Sequence, residues 1–260
     1  MTDRGGSASW YLDPAVARQK RRLHRELIHR WARDLEVRAF LKTDLFEEAN
    51  GADQIFFDLY PPSVGAFGMD LSAATVRRAA GNCTNPSARF LVCDVRRPAL
   101  RPGCLDLVVS TSTLDHLETA EELQASLAEL AGLLREGGLL IVTVDNPGNP
   151  LYRPLRWASR RGWVPFTLGC TASMSELNRM LTGLGLEVVG NEWLLHNPRI
   201  ISTLLWLAIR KLFKKKADRA IPGLLALLDR LGRLPTRRWT ACFAAACARR
   251  PATGVKPVRA

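Results

Sequence analysis

Short apolar runs alternate with amphipathic stretches at a regular pace from residue 38 to residue 144, and this alternation restricts the fold more than any other feature of the chain. The runs Arg38–Thr43, Ala66–Asp70, Phe90–Asp94, Leu105–Ser110 and Leu139–Val144 read as strands. Helical stretches lie between them. One runs from Leu45 to about Leu59 and is stopped by Pro61-Pro62; a second, Ala73–Ala80, is capped by Ser72. A third, Ala120–Arg135, aligns leucines 123, 127, 130, 133 and 134 on one face and ends at Glu136-Gly137-Gly138. Strands apolar on both sides must be covered on both faces, which a parallel sheet with crossover helices achieves. The expected class is α/β, a doubly wound sheet.

The flanks extend this frame. Leu23, Leu27, Ile28, Trp31 and Leu35 form one helical stripe backed by Arg18, Lys20, Arg21, Arg22, Arg25 and Arg33, so an amphipathic basic helix precedes the first strand. His24 and His29 on it are expected at the surface. After Asp145 comes the Pro- and Arg-rich segment Asn146–Ser173, then a helix Ser175–Leu184 and a strand Leu186–Leu195. Pro198–Leu234 reads as two helices broken at Ile221-Pro222-Gly223, and Arg238–Ala248 as the last strand. The expected organisation is a tail and basic helix over 1–35, a core over 36–197, a basic helical insertion over 198–237, and a final strand and tail over 238–260.

Composition bears on partners. The 260 residues are 47% hydrophobic and carry a net charge of +12, enough apolar material for a core without metal or disulfide staples. The six cysteines form no CxxC, so no metal site is expected. Residues 39–148 hold 8 basic and 15 acidic residues, whereas 198–238 hold 11 and 2. An acidic centre suits a cationic ligand, and basic attachments suit an anionic surface. No apolar stretch approaches the roughly 20 residues of a membrane span, and no secretory signal is visible. A cytoplasmic location is expected.

In an open parallel sheet, ligands bind beyond the carboxyl ends of the strands, where strand order reverses. The first strand closes on Thr43-Asp44, the second on Asp70, the third on Asp94, and the fourth on Ser110–Asp115. An acid ending the second strand can accept both hydroxyls of a ribose, and one ending the third an exocyclic amine of adenine.

The runs Gly68-Met-Asp-Leu-Ser72, Leu91-Val-Cys-Asp-Val-Arg96, Leu105-Asp-Leu-Val-Val-Ser-Thr-Ser-Thr-Leu-Asp-His116 and Leu133-Leu-Arg-Glu-Gly-Gly-Leu-Leu-Ile-Val-Thr-Val144 resemble a class I S-adenosylmethionine-dependent methyltransferase. The resemblance covers about residues 36–197 and the strand at 238–248. It implies a Rossmann-like methyltransferase fold of seven mainly parallel strands, the last antiparallel, with S-adenosyl-L-methionine as cofactor. The implied cofactor residues are Thr43, Asp44, Asp70, Leu71, Asp94, Val95 and Ser110: Asp70 on the ribose, Asp94-Val95 at the adenine, Ser110 near the methionine moiety. The chain departs from the family after the first strand. A glycine-rich turn belongs there, and Leu41-Lys-Thr-Asp-Leu-Phe-Glu-Glu-Ala49 stands instead. A related subgroup carries a similar run, with Asp44 placed for the ligand's amino group and a helix from Leu45 for its carboxylate.

Methyl transfer is mostly positioning, with a base needed only where the acceptor loses a proton early. His116, after the fourth strand, is the candidate base, with Asp115 second. Asn146 and Tyr152, in a lid-like segment of Asn-Pro turns, are candidates to wall the acceptor. The stripe Ile201, Leu204, Leu205, Ala208, Ile209 and Leu212 beside Lys211, Lys214, Lys215 and Lys216 suits either packing on the domain or an in-plane helix on anionic membrane. No nucleic-acid reader motif is present. The leading expectation is a methyltransferase for a small-molecule or lipid-like acceptor; the alternative is a non-catalytic methyltransferase-like module binding a membrane or a protein through its basic helices.

Overall fold

The computed structural model describes residues 14–50, 54–164, 168–196 and 217–252. Helix α1 (Pro14–Trp31) precedes β1 (Ala39–Thr43), α2 (Phe46–Asn50), β2 (Gly65–Asp70), α3 (Ala73–Asn82), β3 (Ala88–Val92) and β4 (Leu105–Thr111). There follow α4 (Ala120–Leu133), β5 (Leu134–Asp145), α5 (Tyr152–Arg160), α6 (Met174–Gly183), β6 (Glu187–Leu194), α7 (Ala217–Asp229) and β7 (Phe243–Arg249). The seven strands form one sheet in the order β3-β2-β1-β4-β5-β7-β6. Strands β1 to β5 run parallel, and β7 is antiparallel to both of its neighbours. The expected doubly wound architecture is present, and its strand order reverses between β1 and β4.

Alternate residues of each strand feed opposite faces, as a period of two requires. Leu41, Val108, Leu140 and Val142 pack beneath Leu123, Leu127 and Leu130 of α4 and Leu177 and Leu181 of α6. Phe40, Leu107, Val109 and Ile141 pack against Leu27 and Ile28 of α1 and against Ile55 and Phe56. The basic N-terminal helix is therefore a structural cover, its apolar stripe on the sheet. Its first turn also meets α7, where Ile221 and Leu225 bury against Ala15, and Arg22 pairs with Asp229 at 2.9 Å.

Several boundaries differ from the sequence expectation. The helix from Leu45 to Leu59 is only α2, because the buried Glu48 carboxylate turns back to accept the N–H groups of Ile55 and Phe56 at 3.2 and 3.1 Å. The last strand begins at Phe243 rather than Arg238; Arg237–Thr240 is a helical turn whose Arg237 carbonyl accepts the Ala241 N–H. Pro222 does not break its helix, since Ile221 and Leu225 are both buried and their packing outweighs the missing hydrogen bond. The Ile201–Leu212 stripe and the lysines at 211 and 214–216 lie outside the described residues. Among the described residues, no helix is long and apolar enough to cross a membrane.

His24 corrects a second expectation. It lies inside, not at the surface, with Nδ1 2.8 Å from the Lys20 carbonyl and its ring edge-on to Phe243. Burial, reinforced by the Lys20 cation, lowers its pKa to about 4. The unfolded chain therefore binds a proton that the folded one refuses between about pH 6.5 and pH 4, so stability falls as pH drops through that window. His24→Gln is expected to lose most of this dependence, which denaturant midpoints at pH 7 and pH 4.5 would reveal.

Candidate active site

The reversal between β1 and β4 sets Thr43 directly beside Ser110 in the parallel register. Their hydroxyls bond at 2.9 Å, and Thr43 Oγ1 lies 2.7 Å from Thr113 Oγ1. A chain of three hydroxyls thus lines the carboxyl end of these strands; Thr113 was not legible as a member. Ser112, next to it, has a φ of 52°, and its buried Oγ meets no hydrogen-bond partner among the described residues.

The turn after β1 carries no glycine, yet its backbone enters the left-handed region at Asp44, with φ of 62°. Aspartate is one of the few residues that tolerates this conformation. Lys42, 1% exposed, braces the turn from below. Its Nζ donates to the Asp44 carbonyl and to Glu48 at 2.9 Å, and lies 3.4 Å from Glu47. Lys20 of α1 holds Glu47 from the other side at 2.7 Å. Burial alone would lower the Lys42 pKa, but the carboxylates of Glu48, Glu47 and Asp44 overcome it and raise it. Glu47 is likewise pushed up by burial and pulled further down by Lys20 and Lys42. The signal for this network was in the sequence: a lysine closing an apolar strand, with two glutamates five and six residues on.

Asp70 closes β2 and ties the two turns together. Its Oδ2 accepts the Leu45 N–H at 3.0 Å and its Oδ1 the Ser72 N–H at 2.8 Å. Each oxygen keeps a further lone pair for a ligand hydroxyl. Phe46 and Leu71 flank it as exposed apolar side chains, at 42% and 62%. Asp44 is held protonated to higher pH, about 7, by burial first and by the Glu47 carboxylate next, with Lys42 opposing. Asp94 stands apart from this group. Arg96 takes both of its oxygens, Nη2 to Oδ2 at 2.6 Å and Nε to each at 3.0 Å, and passes on to Glu122 at 2.6 Å. Arg96 thereby holds the Asp94 carboxyl below its usual range. Val95 packs against the core cluster under α4.

His116 is exposed on a single helical turn, Leu114–His116, directly after β4. The turn is pinned on both sides. Buried Asp115 accepts the Asp145 N–H at 3.1 Å through Oδ2 and the Gly169 N–H at 2.8 Å through its carbonyl. Asp115 therefore holds the loop to β5. Tyr152 is buried at the start of α5, and burial raises its pKa to about 12, with Arg156 opposing and the carboxylates of Asp145 and Asp115 adding to the rise. The Asn146 side chain is spent on backbone: Nδ2 donates to the carbonyls of Arg238 and Ala241 at 2.8 and 2.9 Å, and Oδ1 accepts from Gly148 at 3.0 Å. Among the described residues, no group of three His, Cys, Asp or Glu is arranged to hold a metal ion.

A mainly parallel seven-stranded sheet of this order is the Rossmann-like methyltransferase fold. Residues 51–142 match the family model described as a methyltransferase domain. No curated protein sequence matches it. Among solved structures, the chain is similar to a possible histamine N-methyltransferase from Thermotoga maritima, at 14% identity over 93% of each chain with a TM-score of 0.57. It is also similar to phosphoethanolamine N-methyltransferase 2 of Haemonchus contortus, at 16% identity over 88% of this chain and 53% of that one, TM-score 0.57. A third is SpnF, a 4+2 cyclase, at 18% identity over 89% and 80%, TM-score 0.56. At these identities the likeness is one of fold, and the cyclase shows that this fold hosts more than one chemistry.

The residues at this edge of the sheet fit S-adenosyl-L-methionine. Asp70 retains acceptor capacity beside exposed apolar side chains, Asp44 supplies a left-handed turn without glycine, and Ser112 offers a buried hydroxyl without a partner among the described residues. Asp94 fits less directly, since Arg96 must release an oxygen before an adenine amine can use it.

Proposed function

We propose that the chain methylates a small-molecule acceptor at the carboxyl edge of β1, β4 and β5. The observation that carries this reading is the convergence of the Thr43, Ser110 and Thr113 hydroxyls with the Asp70–Leu45 tie at the one place where strand order reverses. Bound S-adenosylmethionine supplies an electrophilic methyl on a sulfonium. In the proposed arrangement Asp70 accepts the ribose hydroxyls, Leu71 covers the adenine, and Asp94 with the Val95 backbone reads its edge. Thr43 and Ser110 face the methionine portion, with Asp44 on the ammonium. His116 takes the acceptor's proton, Tyr152 walls the acceptor, and Asn146 supports that wall by fixing the loop after β5. The solved relatives named for phosphoethanolamine and histamine support a small acceptor. The expectation of a lipid-like acceptor or membrane contact rests on the apolar stripe and lysines over 201–216, which lie outside the described residues. Release of S-adenosylhomocysteine against a panel of small amines, phenols and acids tests the reading; turnover of none of them would sink it.

Two expectations test individual residues. Asp70→Ala should weaken S-adenosylhomocysteine binding by about 10- to 150-fold, the value of hydrogen bonds to a charged group. Asp94→Ala should cost less, because Arg96 already occupies that carboxylate. Equal losses in calorimetry would reverse the two roles. Asp44 gives a pH signature: held protonated up to about pH 7, it must ionise to meet an ammonium. Binding at pH 6 should therefore release close to one proton, and affinity should rise with pH and level off near 7. Titrations in buffers of different ionisation enthalpy read this directly, and Asp44→Asn should abolish it.

A further inference from the structure

A cleft of about 470 Å³ opens beside the carboxyl end of β5, apart from the cofactor residues. Its lining includes Asn146 and Gly148 of the loop after β5, Met174 and Asn178 of α6, Trp193 of β6, and Arg238 and Trp239 of the turn before β7. Its size falls within the range of pockets that hold small organic ligands. The walls are fixed by the fold. Asn146 bonds the Arg238 and Ala241 carbonyls, and Ser173 closes a reciprocal capping box with Glu176 at the start of α6. Trp193 projects from β6 and packs on the core cluster, so it forms a rigid flank.

Three features define what such a cleft would take. Among the described residues that line it, Arg238 carries the one formal charge, and no carboxylate among the described residues pairs with it. Its guanidinium lies 4.3 Å over the ring of Trp239, itself 47% exposed, which holds the fork oriented while leaving its N–H groups for a ligand. An arginine so placed selects a carboxylate or phosphate. Trp193, Trp239 and Met174 offer apolar, polarisable surface that favours a flat body. The Asn178 Oδ1 is buried and has no hydrogen-bond partner among the described residues, which calls for a donor on the ligand.

We propose that this cleft binds a flat organic acid bearing a hydroxyl, its carboxylate on Arg238, its body between the tryptophans and its hydroxyl donating to Asn178. Asn146 and Gly148 belong both to the cleft and to the loop that follows β5, so a molecule held here extends toward the methyl-transfer edge. Its assignment as the acceptor's recognition group rests on the function proposed above; the binding itself does not.

Calorimetric titration of the full chain with 6-hydroxy-2-naphthoate, 2-naphthoate and 2-naphthol tests the carboxylate and hydroxyl contacts separately. The hydroxy acid should bind about 10-fold or more tighter than 2-naphthol, following the strength of charged hydrogen bonds. Arg238→Gln should remove that preference while changing 2-naphthol by less than about twofold; the side chain is exposed, and only its backbone carbonyl holds Asn146, so folding is retained. Asn178→Ala should erase a smaller, roughly 2- to 10-fold advantage of the hydroxy acid over 2-naphthoate. Equal binding of acid and naphthol, or an acid affinity unchanged by Arg238→Gln, would overturn the proposal. A parallel titration with S-adenosylhomocysteine, which Arg238→Gln should leave unchanged, reports on the methyltransferase reading independently.

Discussion

Lys42→Met is expected to destabilise the protein by about 3–5 kcal/mol, because removing one member of a buried ion pair strands the other's charge. The Glu48 carboxylate is fully buried and already holds the Ile55 and Phe56 N–H groups, so it cannot swing out to water without unmaking the turn before β2. For a chain of this size the loss should lower the melting temperature by roughly 10 °C. Adding Glu48→Gln should recover most of it, since an amide oxygen still accepts both N–H groups and carries no charge. The pair of variants separates the cost of an orphaned charge from the cost of lost packing. A double variant no more stable than Lys42→Met alone would show that packing dominates. A second readout follows from the Lys42 bond to the Asp44 carbonyl: any folded Lys42 variant should also bind S-adenosylhomocysteine more weakly, because the left-handed turn loses its brace.

His116→Gln is expected to lower kcat by about 100- to 10,000-fold for an acceptor that must shed a proton early, the usual contribution of a positioned general base. Cofactor affinity should stay within about twofold, because His116 is not among the residues proposed to hold the cofactor. The backbone around it should also hold, since the neighbouring carbonyls of Asp115 and Leu117 accept the N–H groups of Gly169 and Cys170 independently of the imidazole. An acceptor that is already a free nucleophile at neutral pH would show little change. The contrast between a phenol and a pre-deprotonated acid with the same variant therefore distinguishes proton removal from positioning. Wild-type rates with a phenol would take His116 out of the chemistry.

The sheet was largely legible because a parallel sheet buries both faces, and continuous apolar runs such as Leu139–Val144 have few other uses. Asp70, which closes β2, and Asp94, two residues beyond the end of β3 at Val92, were legible as polar residues at the end of apolar runs. What escaped depends on contacts far apart in sequence. His24 looked like one more residue of a basic helix, and only the docking of α1 on Phe243 buries it. Helix α2 reads as about four turns in the sequence because the Glu48 carboxylate, which captures the chain at Ile55, has no signature in periodicity. Asp94 gave no hint of being occupied, since Arg96 two residues on reads equally well as solvated surface. The missing glycines proved a local substitution: Asp44 takes the left-handed backbone that glycine would supply, and the Lys42–Glu48 pair holds it there.

The glycine-poor turn after β1 is expected to form one side of an S-adenosylmethionine site. Calorimetric titration of the full chain with S-adenosylhomocysteine at pH 7.5 tests it most directly, with Asp70→Ala alongside. A saturable one-to-one isotherm for the wild type, weakened at least tenfold in the variant, is the predicted result. Either no heat with a folded wild-type chain or equal affinity in the two proteins would contradict it.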